Sequence, residues 1–143
     1  MLVNKKGLVM ANRYMVRNYM TLEKGPVALY LKATIGAVGA PTISAINSKG
    51  FISIVRTGVG AYTLNLGSAV GVDTYQRLLM AMHVCIGASS TAVSMVVVQD
   101  NSANLAAPNV KVQFESATGA APVELGNGEI LLVKLDLSNS TAV

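Results

Sequence analysis

At 143 residues with a net charge of +4, the chain is long enough for one domain with its own core and too short for two. Charged residues make up 13% of it against about 25% in ordinary soluble domains, so the composition indicates apolar surface that is buried against other subunits. The single cysteine, Cys85, excludes an internal disulfide and with it a disulfide-stapled secreted scaffold.

The first segment in chain order, residues 1–26, is predicted to be a basic arm that is extended or partly helical. Residues 1–32 carry six basic side chains and one acidic side chain, whereas residues 57–143 carry a net negative charge. The Gly25-Pro26 pair ends any helical turn. The apolar stretch at residues 7–11 is too short for a signal-peptide core, so we expect no export signal, and both Met1 and Met10 are candidates for the translation start.

The arm combines cationic and aromatic side chains, and three interpretations of it stay open. A clamp on an acidic protein partner is favoured, since charge steers association and Tyr and Arg are common anchors of interfaces. An ordinary solvated surface comes second. Nucleic-acid binding is the least favoured, because the net charge is modest for that function. The candidate contact residues are Lys5, Lys6, Arg13, Tyr14, Arg17 and Tyr19.

After the arm, residues 27–143 are predicted to form an all-β domain. Short strand-like stretches alternate with glycine-rich and polar turns, which is typical of a sandwich, jelly roll or barrel. The predicted strands are 27–35, 41–47, 50–57, 60–66, 78–86, 92–99, 109–116 and 129–137. We therefore expect an antiparallel β-sandwich of jelly-roll type with about eight strands. Residues 70–80 are the one stretch that could form a short helix instead.

The clearest local prediction is a β-hairpin over residues 49–66. Gly58 and Gly60 can adopt a positive φ at its corner. Because side chains alternate between the two faces of a strand, we expect every second residue of each strand to share a face. These sets are Phe51, Ser53 and Val55 in the first strand, and Tyr62, Leu64 and Leu66 in the second.

Residues 78–98 carry no formal charge over a length that would suffice for a membrane-spanning helix. The polar cluster at residues 87–91 would then lie at the bilayer centre, and each flank is a short apolar run of strand length. We therefore predict a buried β-hairpin here and no membrane span.

The last two predicted strands differ in the number of apolar faces. In 109–116 the apolar set Val110, Val112 and Phe114 alternates with polar residues, as in a sheet with one wet face. In 129–137, Ile130 and Leu132 add a second apolar face to the set Leu131, Val133, Leu135 and Leu137. We expect this part of the strand in the middle of a sheet or at an interface.

His83 and Cys85 are the best candidates for nucleophilic or metal chemistry, because they are two apart in a predicted strand and share a face. No other His or Cys supplies a third metal ligand. The surrounding Met80, Met82, Val84 and Ile86 indicate a core. The carboxylates are scattered, and no phosphate-binding glycine motif occurs. We expect no catalytic residues, no metal and no cofactor.

Three groups of residues resemble a pattern found in small structural proteins of tailed bacteriophages. They are Val55, Arg56, Gly58, Gly60, Tyr62 and Leu64; then Tyr75, Leu78 and Leu79; and finally Pro122, Asn127, Gly128, Glu129 and Leu131 to Val133. The resemblance covers roughly residues 49–137 and leaves the arm unmatched. It is to capsid decoration or cement proteins, and it implies a compact jelly-roll sandwich whose loops and arms bind the shell.

The function implied by this resemblance is stabilisation of a capsid from its outside. The expected partners are the major capsid protein and further copies of the chain in a dimer or trimer. The protein would be made in the host cytoplasm and reside on the virion surface. The alternative is a tail, fibre or head-tail joining protein, which differs in copy number per particle.

Overall fold

The computed structural model describes residues 26–44, 47–67, 77–87, 92–117 and 121–138. These residues contain eight strands and a short 3-10 turn at Ala37–Gly39. The strands are β1 (Val27–Ile35), β2 (Pro41–Ile43), β3 (Phe51–Gly58), β4 (Ala61–Leu66), β5 (Arg77–Ile86), β6 (Ala92–Asn101), β7 (Asn109–Ser116) and β8 (Ile130–Ser138). The all-β prediction is confirmed, and each strand coincides closely with a predicted one except β2, which spans only three residues.

The strands form two antiparallel four-stranded sheets that pack as a β-sandwich. The first sheet has the order β2-β1-β8-β5 and the second has the order β3-β4-β7-β6. In the first sheet β1 and β8 pair along nearly their whole length, with Val27 opposite Leu137 and Thr34 opposite Ile130. The expectation that β8 lies in the middle of a sheet is thus confirmed.

The core lies between the sheets and is built by alternation along each strand. Because successive side chains of a strand point to opposite faces, every second residue of β1, β4, β7 and β8 is buried. The rings of Tyr62 and Phe114 meet edge to face, with centroids 5.6 Å apart. The predicted apolar sets of β4, β7 and β8 are all in this core.

The predicted hairpin is confirmed as β3 and β4, but the predicted face of β3 is wrong. A bulge between Phe51 and Ser53 shifts the register, so Phe51 and Ile54 both point into the core. Val55, which the simple alternation placed with Phe51, is exposed. One extra residue in a strand exchanges the two faces beyond it, and this explains the error.

The predicted hairpin of residues 78–98 is also wrong, since β5 pairs with β8 in the first sheet and β6 pairs with β7 in the second. The chain crosses between the sheets after β5. An uncharged pattern specifies strands but not their partners, and the two strands meet instead across the sandwich, where the Leu78 N–H donates to Asp100 Oδ2 at 2.8 Å.

The stretch at residues 70–80, the one alternative helix, ends in a strand. Residues 77–80 belong to β5, so the alternative short helix is not formed there, and the rest of that stretch lies outside the described residues. Over the described ranges, no helix has the length and apolar character needed to cross a bilayer.

Candidate assembly surface

The side of the first sheet that points away from the core is unusually apolar. We call this surface, formed by the outward side chains of β1, β8 and β5, the outer face. Two rows of opposed residues cross it. Tyr30, Lys134 and Met82 form one row, and Lys32, Leu132 and Val84 form the next. These rows line an open groove of about 370 Å³. Lys134 lies in the middle of its row and is paired with Asp136 at 3.1 Å, while apolar side chains line most of the rest of the groove.

β5 contributes the most exposed part of this surface. Met80, Met82, Val84 and Ile86 alternate along its outward side and are each 51–55% exposed. The prediction that these four residues indicate a core is wrong. Side chains of both faces of β5 are apolar or only weakly polar, and the sequence pattern therefore did not distinguish the inward face from the outward one.

His83 and Cys85 share the inward face of β5, as predicted. The His83 ring meets Phe114 edge to face with centroids 5.5 Å apart, and burial lowers the pKa of the imidazole. Burial, helped by the Glu129 carboxylate, raises the pKa of the Cys85 thiol to about 11. A neutral imidazole and a protonated thiol are therefore favoured at neutral pH, and the thiolate form needed for nucleophilic attack is disfavoured.

Among the described residues, no group of three or more His, Cys, Asp or Glu side chains is placed to hold an ion. His83 and Cys85 thus lie together in the interior without a described third ligand.

Among the described residues, no strand covers the side of the sandwich where β5 and β6 lie. We call this side, formed by the edges of these two strands, the open flank. Its inward-facing apolar side chains are only partly buried, as in Leu78, Ala81, Met95 and Val97. Inward residues of the central strands, such as Leu135, are fully buried. The described strands therefore leave the core incompletely covered at this flank.

A polar cluster missed by the sequence analysis ties the other side of the sandwich together. Arg56 in β3 donates from Nε and Nη2 to the carboxylate of Glu124, with distances of 2.6–3.0 Å. Tyr62 Oη lies 3.0 Å from both Glu124 Oε1 and the Gly39 carbonyl oxygen, and its one proton can be donated to either. Arg56 and Glu124 are 68 residues apart, and no local pattern pairs them.

The close contacts within this cluster contribute to the stability of the fold. A Cβ on Gly39, whose φ is 69°, would overlap the Glu124 carboxylate, so only glycine allows the approach. Hydrogen bonds from Arg56 lower the pKa of Glu124, and partial burial opposes them. Burial, with the hydrogen bond to Glu124, raises the pKa of Tyr62, which stays protonated. We therefore assign this cluster to stability and not to binding.

We expect Glu124→Gln to reduce stability at pH 7 by about 1 kcal/mol, a value kept small because the ion pair is partly solvated. The pKa of Glu124 is lower in the folded state, so the native carboxylate stabilises above its ordinary pKa, and this contribution is lost as the pH falls through the folded value. Urea unfolding at pH 3–7 should show the difference between variant and wild type shrinking in acid. A difference that stays constant over this range would contradict the assignment.

The six candidate contact residues of the arm, Lys5, Lys6, Arg13, Tyr14, Arg17 and Tyr19, lie outside the described residues. Comparison with known proteins adds no family: no protein-family model matches the chain, and no curated protein or solved structure matches it significantly.

Proposed function

We propose that this protein is a virion structural protein that binds the outside of a tailed-phage capsid and stabilises the shell as a decoration protein. Its body would be a β-sandwich of jelly-roll type that forms a homo-oligomer, and its main partner would be the major capsid protein. The observation that carries the proposal is the apolar outer face. The resemblance of residues 49–137 to phage structural proteins supports the same class of function.

The size and chemistry of the outer face suit a protein interface. Strands of about nine residues at normal strand spacing give three strands a face of about 30 Å by 14 Å. A largely apolar surface of this size is comparable to the largest patch on an ordinary monomer, where such patches are often functional. Tyr30, on β1 beside the central strand β8, is half exposed, and tyrosine is enriched among the residues that dominate binding energy.

The position of the basic arm supports a combined contact. Residues 1–25 lead directly into Pro26 and β1, and β1 is one of the strands of the outer face. Two lysines that line the groove, Lys32 and Lys134, have the same sign of charge as the arm. We propose that arm and outer face bind one partner, a capsid surface that carries both apolar side chains and carboxylates.

The mechanism of stabilisation is mass action. A ligand that binds only the assembled shell stabilises it by an amount that grows with its free concentration over Kd. When one copy contacts two or more capsid subunits, loss of a subunit requires all those contacts to break, and the effect adds up over the many equivalent sites of a shell.

The test is to mix purified protein with shells that lack it, sediment the shells, and measure bound copies and the shell melting temperature. We expect saturable binding and a higher melting temperature. Deletion of residues 1–26 should abolish binding, and Tyr30→Glu should weaken it at least about tenfold by placing a charge in the groove. The matched control is Val55→Glu, an exposed site on the second sheet.

Two results would overturn the proposal. One is the absence of any binding to shells by folded wild-type protein. The other is binding by the arm deletion and by Tyr30→Glu that equals wild type, which would leave neither the arm nor the outer face with a role.

A further inference from the structure

We propose that the open flank is a self-association surface, on which a second copy of this chain docks by the same flank to form a twofold dimer. β5 would pair antiparallel with β5 of the other copy, and β6 would lie beside its counterpart in the second sheet. This inference deepens the proposed function, on which it rests for the role of the dimer, and it identifies the surface that makes the homo-oligomer.

The open flank offers two long strand edges, of which β5 is the more regular, since β6 carries register shifts between Ala92 and Ser94 and between Val97 and Gln99. Each is ten residues long, and from Leu78 to Gln99 the sequence carries no formal charge and no proline. β5 is regular from Met80 to Ile86, where it faces β8 in unbroken register. Half of the backbone N–H and C=O groups of an edge strand point away from its sheet, so a long, uncharged edge is a template for another strand.

The opposite flank lacks these properties. Its strands are β2, which is three residues long and begins with Pro41, and β3, which is eight residues long and carries two register shifts, as β6 also does. Short edge strands and proline are features by which proteins protect sheet edges from pairing. There the core is also better covered, since Phe51 and Ile54 are each 7% exposed. The two flanks therefore differ in both edge and core.

Side-chain burial points to the same flank. The inward side chains of β5 and β6 are partly exposed because no strand lies beyond them in the described structure. On the outward sides, Val96 is 41% exposed, Val98 61% and Ile86 51%. A partner placed against this flank would cover both sets at once, and each cross-strand apolar pair would add to the stability of the dimer.

A second copy of the chain can pair with the open flank, because it carries the same two strand edges. Such a partner needs two strand edges that are stacked about 10 Å apart, each about 34 Å long and uncharged over most of its length. A twofold axis perpendicular to the sheets brings β5 and β6 of one copy against the same strands of the other, and antiparallel pairing follows from the symmetry. With the outward side chains included, the flank measures about 700 Å², close to the roughly 800 Å² per partner of a standard stable interface.

The test is sedimentation equilibrium of the full-length chain without shells. We expect a dimer at micromolar concentration, and we expect Val98→Lys and Ile86→Lys to weaken it at least about 100-fold, since each would place an unpaired charge in an apolar contact between the two copies. Val55→Lys is the matched control. It places lysine at an exposed valine on the outer side of the same sheet as Val98 but at the opposite edge, and it should leave the dimer unchanged.

A second measurement on wild-type protein avoids dependence on the variants. Amide hydrogen exchange in Met80–Ile86 should slow as protein concentration rises. Pairing with the second copy would protect the N–H groups of β5 that point away from β8. Exchange in β3 should not change with concentration.

Each contrary outcome is decisive. The inference is overturned by a monomer at high micromolar concentration, by a trimer, by a dimer that persists in Val98→Lys and Ile86→Lys, or by exchange in β5 that ignores concentration. None of these results bears on shell binding, which is measured separately. Conversely, a dimer that ignores shells would overturn the proposed function alone.

Discussion

Gly60→Ala is expected to destabilise the protein by at least about 3 kcal/mol. Gly60 has a φ of 62°, which costs a residue with a side chain about 1–2 kcal/mol. A Cβ there would also lie 2.6 Å from the Val123 carbonyl oxygen and 2.8 Å from that of Phe114. Both oxygens belong to the backbone, and Gly60 also accepts a hydrogen bond from the Phe114 N–H, so the contact cannot be relieved by rotating a side chain.

Gly128→Ala is the matched control for this prediction. Gly128 also has a positive φ, 83°, but a Cβ there meets no atom within 4 Å. It should cost only the backbone strain, about 1 kcal/mol. Guanidinium unfolding at one fixed protein concentration measures both variants. Equal losses at Gly60 and Gly128 would show that the close approach of the two carbonyls is not what makes Gly60 necessary.

Phe114→Ala is expected to cost about 3–5 kcal/mol, the range for removing a large ring from a core. Phe114 is fully buried and contacts both Tyr62 and His83 edge to face, so its removal leaves a cavity where the two sheets meet. Loss of the Phe114 ring should also remove the edge-to-face contact of His83 and expose its imidazole to water. Guanidinium unfolding measures the stability, and the imidazole titration in NMR spectra should move toward the ordinary His pKa.

Leu105→Ala serves as the control, because it removes a large apolar side chain that is 80% exposed. Its effect should stay within about 0.5 kcal/mol. A cost below about 1 kcal/mol for Phe114→Ala would mean that the core collapses around the missing ring, which the close packing of a sandwich interior does not favour.

Most of the strand positions could be predicted from the sequence, because turns and alternation are local properties. The inward sets of β4, β7 and β8 follow from strict alternation between apolar and polar residues. The prediction for the faces of β3 was wrong because its bulge depends on the pairing with β4. A single residue such as Ile52 can be accommodated on either face of the sheet.

The assembly surface was harder to predict for a physical reason. Composition indicated excess apolar area, but β5 is apolar on both sides, and only the packing of sheet against sheet decides that Met82 is outside and His83 inside. The pairing partners could not be predicted from the sequence either. β5 pairs with β8, which lies some 50 residues further along the chain, while β6, the next strand in sequence, belongs to the other sheet. The ion pair of Arg56 and Glu124 also depends on tertiary packing alone.

The pairing of β1 with β8 has a consequence for biosynthesis. The first sheet joins the beginning of the described chain to its end, from Val27 to Leu137, so its central ladder cannot form until β8 has left the ribosome. Contacts this distant in sequence also make folding slow relative to helical proteins, typically milliseconds to seconds. During translation the nascent chain therefore keeps β5 without its native neighbour, and chaperone occupancy on ribosomes is expected to be highest over that interval.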